Sequence, residues 1–190
     1  MKTVFIYGTG GQFAQCRSAL RHAGARTLLT RDLYRSFDCD ALLLPGDMDL
    51  GPRLDAVDSF LLQSFVASSR PVLGIGRGMQ AINVYFGGTL CLARPGHLGE
   101  DLLHPTRTWG PLRRVLGDTP IVTSSHTRSV ALLGHQLCPI QWTEDGTVEA
   151  IAHASRNILG VQWHPERQAY ALRRPDCVDA GPLFAYFLSL

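Results

Sequence analysis

The sequence predicts an α/β domain: a doubly wound, mostly parallel sheet flanked by helices, with a small antiparallel hairpin region. Three observations carry this reading. Short apolar runs alternate four times with segments of helical period between Thr3 and Phe86, the grammar of a parallel sheet. The runs Ala41–Leu44 and Val72–Ile75 are apolar throughout, as expected of strands covered on both faces. Further on, Glu144-Asp145-Gly146 separates two alternating runs, a hairpin signal.

The first strand is Thr3 to Tyr7. Gly8-Thr9-Gly10-Gly11-Gln12-Phe13 follows and invites comparison with the GxGxxG dinucleotide fingerprint. The third glycine position falls on Phe13, and no acidic residue convincingly follows a second strand, so the stretch reads as a glycine turn into a helix. That helix covers about 13–23, with Phe13, Cys16, Ala19 and Leu20 on one face, and Gly24 ends it. Ala25 to Thr30 is the second strand and Asp40 to Leu44 the third. After the turn Pro45-Gly46-Asp47-Met48-Asp49, a helix over about 54–68 turns Val57, Leu61, Leu62 and Phe65 inward. Val72 to Ile75 is the fourth strand. Sites in such sheets lie beyond the carboxyl ends of the strands, so the loops Pro45–Asp49 and Gly76–Gly78 are expected to be neighbours.

Past Gly87-Gly88 the pattern changes. Residues 94–110 are rich in Pro, Gly and His, show no clear period and read as a loop or excursion. Thr119 to Thr123 reads as a strand, Gln136–Trp142 and Thr147–His153 as the hairpin, and Ile158–Trp163 as a last strand running into His164-Pro165-Glu166. Pro182 to Leu190 closes as an apolar helix.

Composition narrows the function classes. At 190 residues, 45% hydrophobic and 18% charged, the chain reads as one domain over 1–190. A net charge of +2 without a Lys/Arg cluster argues against nucleic acid and against a membrane surface. No apolar run approaches the ~18 residues that span a bilayer. Five scattered cysteines without CxxC or Cys/His ligand spacing make zinc and a disulfide framework poor bets and favour a reducing cytoplasm. His97, His104, His135 and His153 lack metal spacing and are expected in loops or at the surface. Trp109, Trp142 and Trp163 are expected to pack rather than to form a binding platform.

The organising stretch is Pro71-Val72-Leu73-Gly74-Ile75-Gly76-Arg77-Gly78-Met79-Gln80. A buried strand gives way within three residues to a helix marked by Met79, Ile82, Asn83 and Phe86. A strand turning into a helix over glycines has the geometry of a nucleophile elbow, whose tip holds a strained backbone. The tip here is Gly76, which has no side chain.

These residues resemble the class I glutamine amidotransferase superfamily, a flavodoxin-like fold, and within it the γ-glutamyl-γ-aminobutyrate hydrolase branch. Three segments match: Pro71–Gln80 with Asn83-Val84 and Gly87-Gly88-Thr89-Leu90, which in the family reads PVLGICRGMQ, NV and GGTL; Asp145-Gly146-Thr147-Val148-Glu149-Ala150, similar to DGxxEA; and Gly160-Val161-Gln162-Trp163-His164-Pro165-Glu166, its GVQWHPE. The resemblance implies a cysteine nucleophile at position 76, His164 as base and Glu166 as its orienting carboxylate. It implies an oxyanion hole from the backbone of Arg77 and of the Gly46-Asp47 turn, and ligand contacts from Gln80, Ser124, Ser125 and His126. The ligand would be glutamine or another γ-glutamyl amide, with a synthetase as possible partner and without cofactor or metal.

Departures accompany the likeness. Gly76 stands where the family has its nucleophile, so the chain is expected to be inactive as written, either a silent hydrolase or a pseudoenzyme that binds a γ-glutamyl ligand or a synthetase. The family's PGGxD reads Pro45-Gly46-Asp47-Met48-Asp49, and its SxHHQ reads Ser124-Ser125-His126-Thr127-Arg128. Arg128 fits a carboxylate clamp as well as an exposed strand-end arginine. A glycine at 76 fits natural divergence or deliberate removal of the nucleophile; the changes at 47 and 128 favour divergence.

Overall fold

The structure, a computed structural model, describes all of residues 1–190 except 47, 52, 98, 100 and 101. The strands are β1 (Thr3–Tyr7), β2 (Arg26–Thr30), β3 (Ala41–Leu44), β4 (Val72–Ile75), β5 (Thr89–Leu92), β6 (Leu102–Thr108), β7 (Ile121–Ser124), β8 (Arg128–Leu132), β9 (Leu137–Thr143), β10 (Val148–His153) and β11 (Ile158–Val161). The α-helices are α1 (Ala14–His22), α2 (Ala56–Ala67), α3 (Arg77–Tyr85), α4 (Pro111–Leu116) and α5 (Gly181–Ser189). Among the described residues, one sheet runs β2-β1-β3-β4-β11-β10-β9-β6-β7, and β5 pairs with β8 apart from it. From β2 to β11 neighbouring strands are parallel; from β11 to β7 they are antiparallel.

Period-2 alternation sorts the parallel strands onto two cores. Val4, Ile6, Ala41, Leu43, Leu73, Ile75, Leu159 and Val161 face the layer of α1, α4 and α5. Phe5, Leu42, Leu44, Val72 and Ile158 face α2 and α3. Both faces are thus covered, which is why these strands read as continuous apolar runs. Helix α2 starts where the Asp55 carboxylate accepts from the Asp58 N–H at 2.8 Å, an N-cap in the first orphaned turn.

The carboxyl ends of β3, β4 and β11 converge because α3 lies very close to the sheet. A Cβ on Gly78 would fall 1.8 Å from the Leu44 carbonyl oxygen, and one on Gly74 would fall 2.5 Å from Gly78. Gly160 likewise leaves room for Met79. Glycine is required here by contact, bringing helix backbone onto strand backbone. Asn83, fully buried, fixes the other end: its Nδ2 donates to the carbonyls of Thr89 and Leu132, and its Oδ1 accepts from the Gly134 N–H.

Several expectations change. The antiparallel end is larger than one hairpin, because residues 102–108 of the supposed loop form β6. Pro105 cannot donate to a ladder, and β6 changes partner there, pairing β7 through Pro105 and β9 from Thr106 onward. Helix α4 and strand β8 are additions to the expected elements; each is short and lacks enough apolar positions to display a period. The seventh strand begins at Ile121, after Pro120, and α1 begins at Ala14 because Phe13 takes φ 55°. The Asp145-Gly146 turn is present between β9 and β10, with Gly146 at φ 83°. Trp163 is buried in the core, whereas Trp109 is exposed to solvent.

Candidate functional site at the carboxyl edge of the sheet

Gly76 sits between β4 and α3 at φ 54°, ψ −112°, a conformation closed to most side-chain-bearing residues. Its N–H donates to the Val161 carbonyl at 2.8 Å, fixing the bend to the end of β11. A Cβ built on Gly76 would lie 3.6 Å from Cε1 of His164 and 3.8 Å from the carbonyl oxygen of Gln162. The tip of the bend therefore faces the His164 ring. Nδ1 of His164 lies 2.8 Å from Oε1 of Glu166, and both residues are buried. That contact places the proton of the neutral ring on Nδ1 and leaves the Nε2 lone pair available.

Gly46 approaches Arg77 so closely that a Cβ on it would fall 2.3 Å from the Arg77 Cβ. The two loops predicted to be neighbours are in direct contact. The peptide after Gly46 presents its carbonyl to the tip, with the oxygen 2.9 Å from the would-be Cβ at 76. An acceptor, not a donor, thus faces the place expected to stabilise an oxyanion. Asp47, the other half of that expected pair, lies outside the described residues. Pro45, Gly46 and Arg77 also line an open cavity of about 380 Å³ with Tyr7, Phe13 and Asp58.

The Arg77 side chain points the other way. Its guanidinium lies 2.6 Å from a carboxylate oxygen of Asp58 and 2.6 Å from one of Asp55, tying α3 to the start of α2. Burial pushes the Asp58 carboxyl up, and Arg77 only partly opposes this. Arg77→Met should raise that pKa further by removing the opposing cation. The folded state then holds a proton more tightly than the unfolded chain, whose carboxyl titrates near 4, so stability falls as pH rises through that window. Urea melts should show a loss of about 2–3 kcal/mol at pH 7, shrinking toward pH 4.

Gln80 is fully buried and engaged on every side. Its Oε1 accepts from the Leu50 N–H at 2.7 Å, and its Nε2 donates to Asp49, to the Arg128 carbonyl and to Gln162 Oε1. Asp49 in turn accepts from the N–H and hydroxyl of Thr127, at 2.6 and 2.5 Å. Gln80 therefore knots the 45–50 loop, the 124–128 segment and the end of β11 together. Ser124 is buried, Ser125 is half-buried, and the half-buried Arg128 has no ion-pair partner among the described residues.

His126 does not point as a simple lining residue would. Its Nε2 lies 3.5 Å from Oε1 of Glu149, a wholly buried carboxylate on β10, and Nδ1 of His97 lies 3.4 Å from the same oxygen. His97 also contacts Asp145 at 3.2 Å and stacks on His104 with ring centroids 4.3 Å apart. His97 and His153 are buried, contrary to the surface placement expected of them; His153 packs on Phe86, His104 is half-buried and His135 is exposed. Burial would push the Glu149 carboxyl up, but the His126 and His97 imidazoles outweigh it and hold it below the usual range. The Glu149 carboxylate 3.4 Å away, against the cost of burial, raises His97. Sequence reading missed this group because its members come from three separated segments. The available signal was a glutamate inside a largely apolar strand, Val148–His153.

The sheet order and the likeness to known proteins define a glutamine amidotransferase-like domain. The chain belongs to the Peptidase C26 family, which it matches over residues 44–166. It is 31% identical over 155 residues to the putative glutamine amidotransferase-like protein YvdE of Lactococcus lactis, covering 67% of this chain and 66% of that protein. It is 37% identical over 131 residues to a putative glutamine amidotransferase of Schizosaccharomyces pombe, covering 63% of this chain and 50% of that one. The chain thus spans half to about two thirds of these relatives. Among solved structures, a putative GMP synthase subunit from Thermoplasma acidophilum aligns with a TM-score of 0.76 at 20% identity, over 100% of this chain and 93% of that one, a likeness of fold. No helix of the described residues is long and apolar enough to cross a membrane.

Proposed function

We propose that residues 1–190 form one domain that binds the γ-amide of glutamine or of a γ-glutamyl compound and, as written, does not cleave it. The carrying observation is the glycine at the tip of the bend, where an added Cβ would lie 3.6 Å from Cε1 of His164 in the buried His164–Glu166 pair. In this reading His164 is a base with no nucleophile to deprotonate, and Glu166 orients it. Water at the same place is a poorer nucleophile than a thiolate, so the pair alone supports little turnover. Arg77 would contribute its backbone N–H to an oxyanion hole, with the Gly46-Asp47 turn as the second expected donor. The 124–128 segment, with Ser124, Ser125, His126 and Arg128, would border the α-amino and α-carboxylate groups of the ligand. Gln80 would act by positioning that wall, since its amide is occupied by protein partners. The γ-glutamyl-γ-aminobutyrate hydrolase branch is the branch whose motifs the chain resembles.

Calorimetry with glutamine and a set of γ-glutamyl amides tests this. Binding in the micromolar to millimolar range is expected, with no ammonia or amine released. Absence of heat with every ligand, or turnover by the unaltered chain, would overturn it. A second reading has its own support: other relatives are named as the carbamoyl phosphate synthase small chain of Pyrobaculum aerophilum and a glutamine-hydrolysing GMP synthase subunit of Methanosarcina barkeri. On that reading the domain docks on a synthetase.

A further inference from the structure

We propose that His97, His126 and Glu149 form a binding site for one divalent transition-metal ion of the Zn²⁺ type. Among the described residues these three bring one ligand atom each within 4.8 Å of one another, and all three are buried. None of them belongs to the His164–Glu166 pair; His126 alone is shared with the wall proposed to border the glutamyl ligand, and metal uptake is read out without that ligand.

The hydrogen-bonding pattern asks for a cation. His126 Nδ1 donates to the Arg128 carbonyl at 2.9 Å, and a carbonyl can only accept. In the neutral ring the Nε2 lone pair then points at Glu149. His97 Nε2 faces the Asp145 carboxylate at 3.2 Å, another acceptor, which turns the Nδ1 lone pair toward the same Glu149 oxygen. Two lone pairs and a carboxylate thus converge in a dry place. Accordingly His97 Nδ1, His126 Nε2 and both Glu149 carboxylate oxygens are buried without a hydrogen-bond partner. Groups so placed repel unless a positive centre lies between them.

Both imidazole–carboxylate spacings fit a tetrahedral metal, and the third pair of ligand atoms lies within 4.8 Å. Bonds of about 2.0–2.1 Å around a tetrahedral Zn²⁺ put neighbouring ligand atoms about 3.4 Å apart. The two imidazole–carboxylate separations are 3.4 and 3.5 Å, long for a charge-assisted hydrogen bond. Two imidazoles and one carboxylate are a donor set that suits Zn²⁺, with water in the fourth position. The outer contacts also match: metal-ligating histidines commonly donate their other ring nitrogen to a carboxylate or a backbone carbonyl, as His97 and His126 do with Asp145 and Arg128. Such an ion would clip the 95–97 turn and the 124–128 segment to β10, whose Glu149 carbonyl accepts from Gln162, two residues before His164.

Chelator-treated full-length protein titrated with Zn²⁺ should bind one equivalent and gain thermal stability. Glu149→Gln and His126→Ala should each weaken binding at least 100-fold, while His135→Ala, at an exposed histidine, should leave it unchanged. Where those variants fail to fold, Co²⁺ added to the unaltered chain provides the second readout, with the visible bands of a tetrahedral nitrogen/oxygen site expected. No uptake with no shift in Tm, loss through His135→Ala instead, or the featureless spectrum of hydrated Co²⁺ would each overturn the proposal.

Discussion

Gly76→Cys is expected to release ammonia or amine from glutamine or a γ-glutamyl amide, where the unaltered chain is expected to release none. The built Cβ lies 3.6 Å from His164 Cε1, so a sulfur one bond further out comes within reach of Nε2, the nitrogen left free by the Glu166 contact. Removing a triad nucleophile costs on the order of 10⁶ in rate, which sets the ceiling of what restoration can return. Two costs reduce the gain. A side chain at φ 54° adds about 1–3 kcal/mol of backbone strain. The Gly46 carbonyl oxygen, 2.9 Å from the new Cβ, must also move away. The measurement is ammonia or amine release by Gly76→Cys, with His164→Ala in the same background abolishing it. A folded variant whose thiol can be alkylated but which turns over no γ-glutamyl amide would sink the hydrolase reading of this scaffold.

How much of this was legible in the sequence differs by region for physical reasons. The parallel half was readable because strands buried on both faces and helices with one apolar face each impose a period on the sequence. The strand–glycine–helix bend at Gly76 was readable because its parts are contiguous in sequence, and in the fold it faces His164. The antiparallel end was not. Strand β6 carries Pro105 and polar residues and borrows partners from both β7 and β9, so no local pattern announces it. The rotation of the Gly46 carbonyl is a choice of peptide plane that composition does not encode. The His97–His126–Glu149 group joins the 95–97 turn, the 124–128 segment and β10, three stretches far apart in sequence. Spacing rules for metal sites look along the chain and pass over ligands delivered by three separate segments.

The second large effect is structural. Gly78→Ala should destabilise the fold by about 3 kcal/mol or more, a substantial share of the 5–15 kcal/mol that holds a typical domain. In an open helix the same change would stabilise by up to ~1 kcal/mol, since alanine is the better helix former. Here the sign reverses because the added methyl would sit 1.8 Å from the Leu44 carbonyl oxygen and 2.9 Å from the Leu44 Cβ. Neither partner is the end of a flexible side chain; one is strand backbone in the middle of the sheet. The relief open to the protein is to lift α3 off β3, which also separates Arg77 from Gly46 and withdraws the Gly76 bend from His164. Urea unfolding should report the lost stability. In a Gly76→Cys background, the same substitution should lower kcat more than it raises KM, because it displaces the reacting atoms rather than the ligand-binding wall. A Gly78→Ala protein with unchanged midpoint would mean that α3 rides further from the sheet than these contacts place it, and the shared cleft of Gly76 and His164 would lose its support.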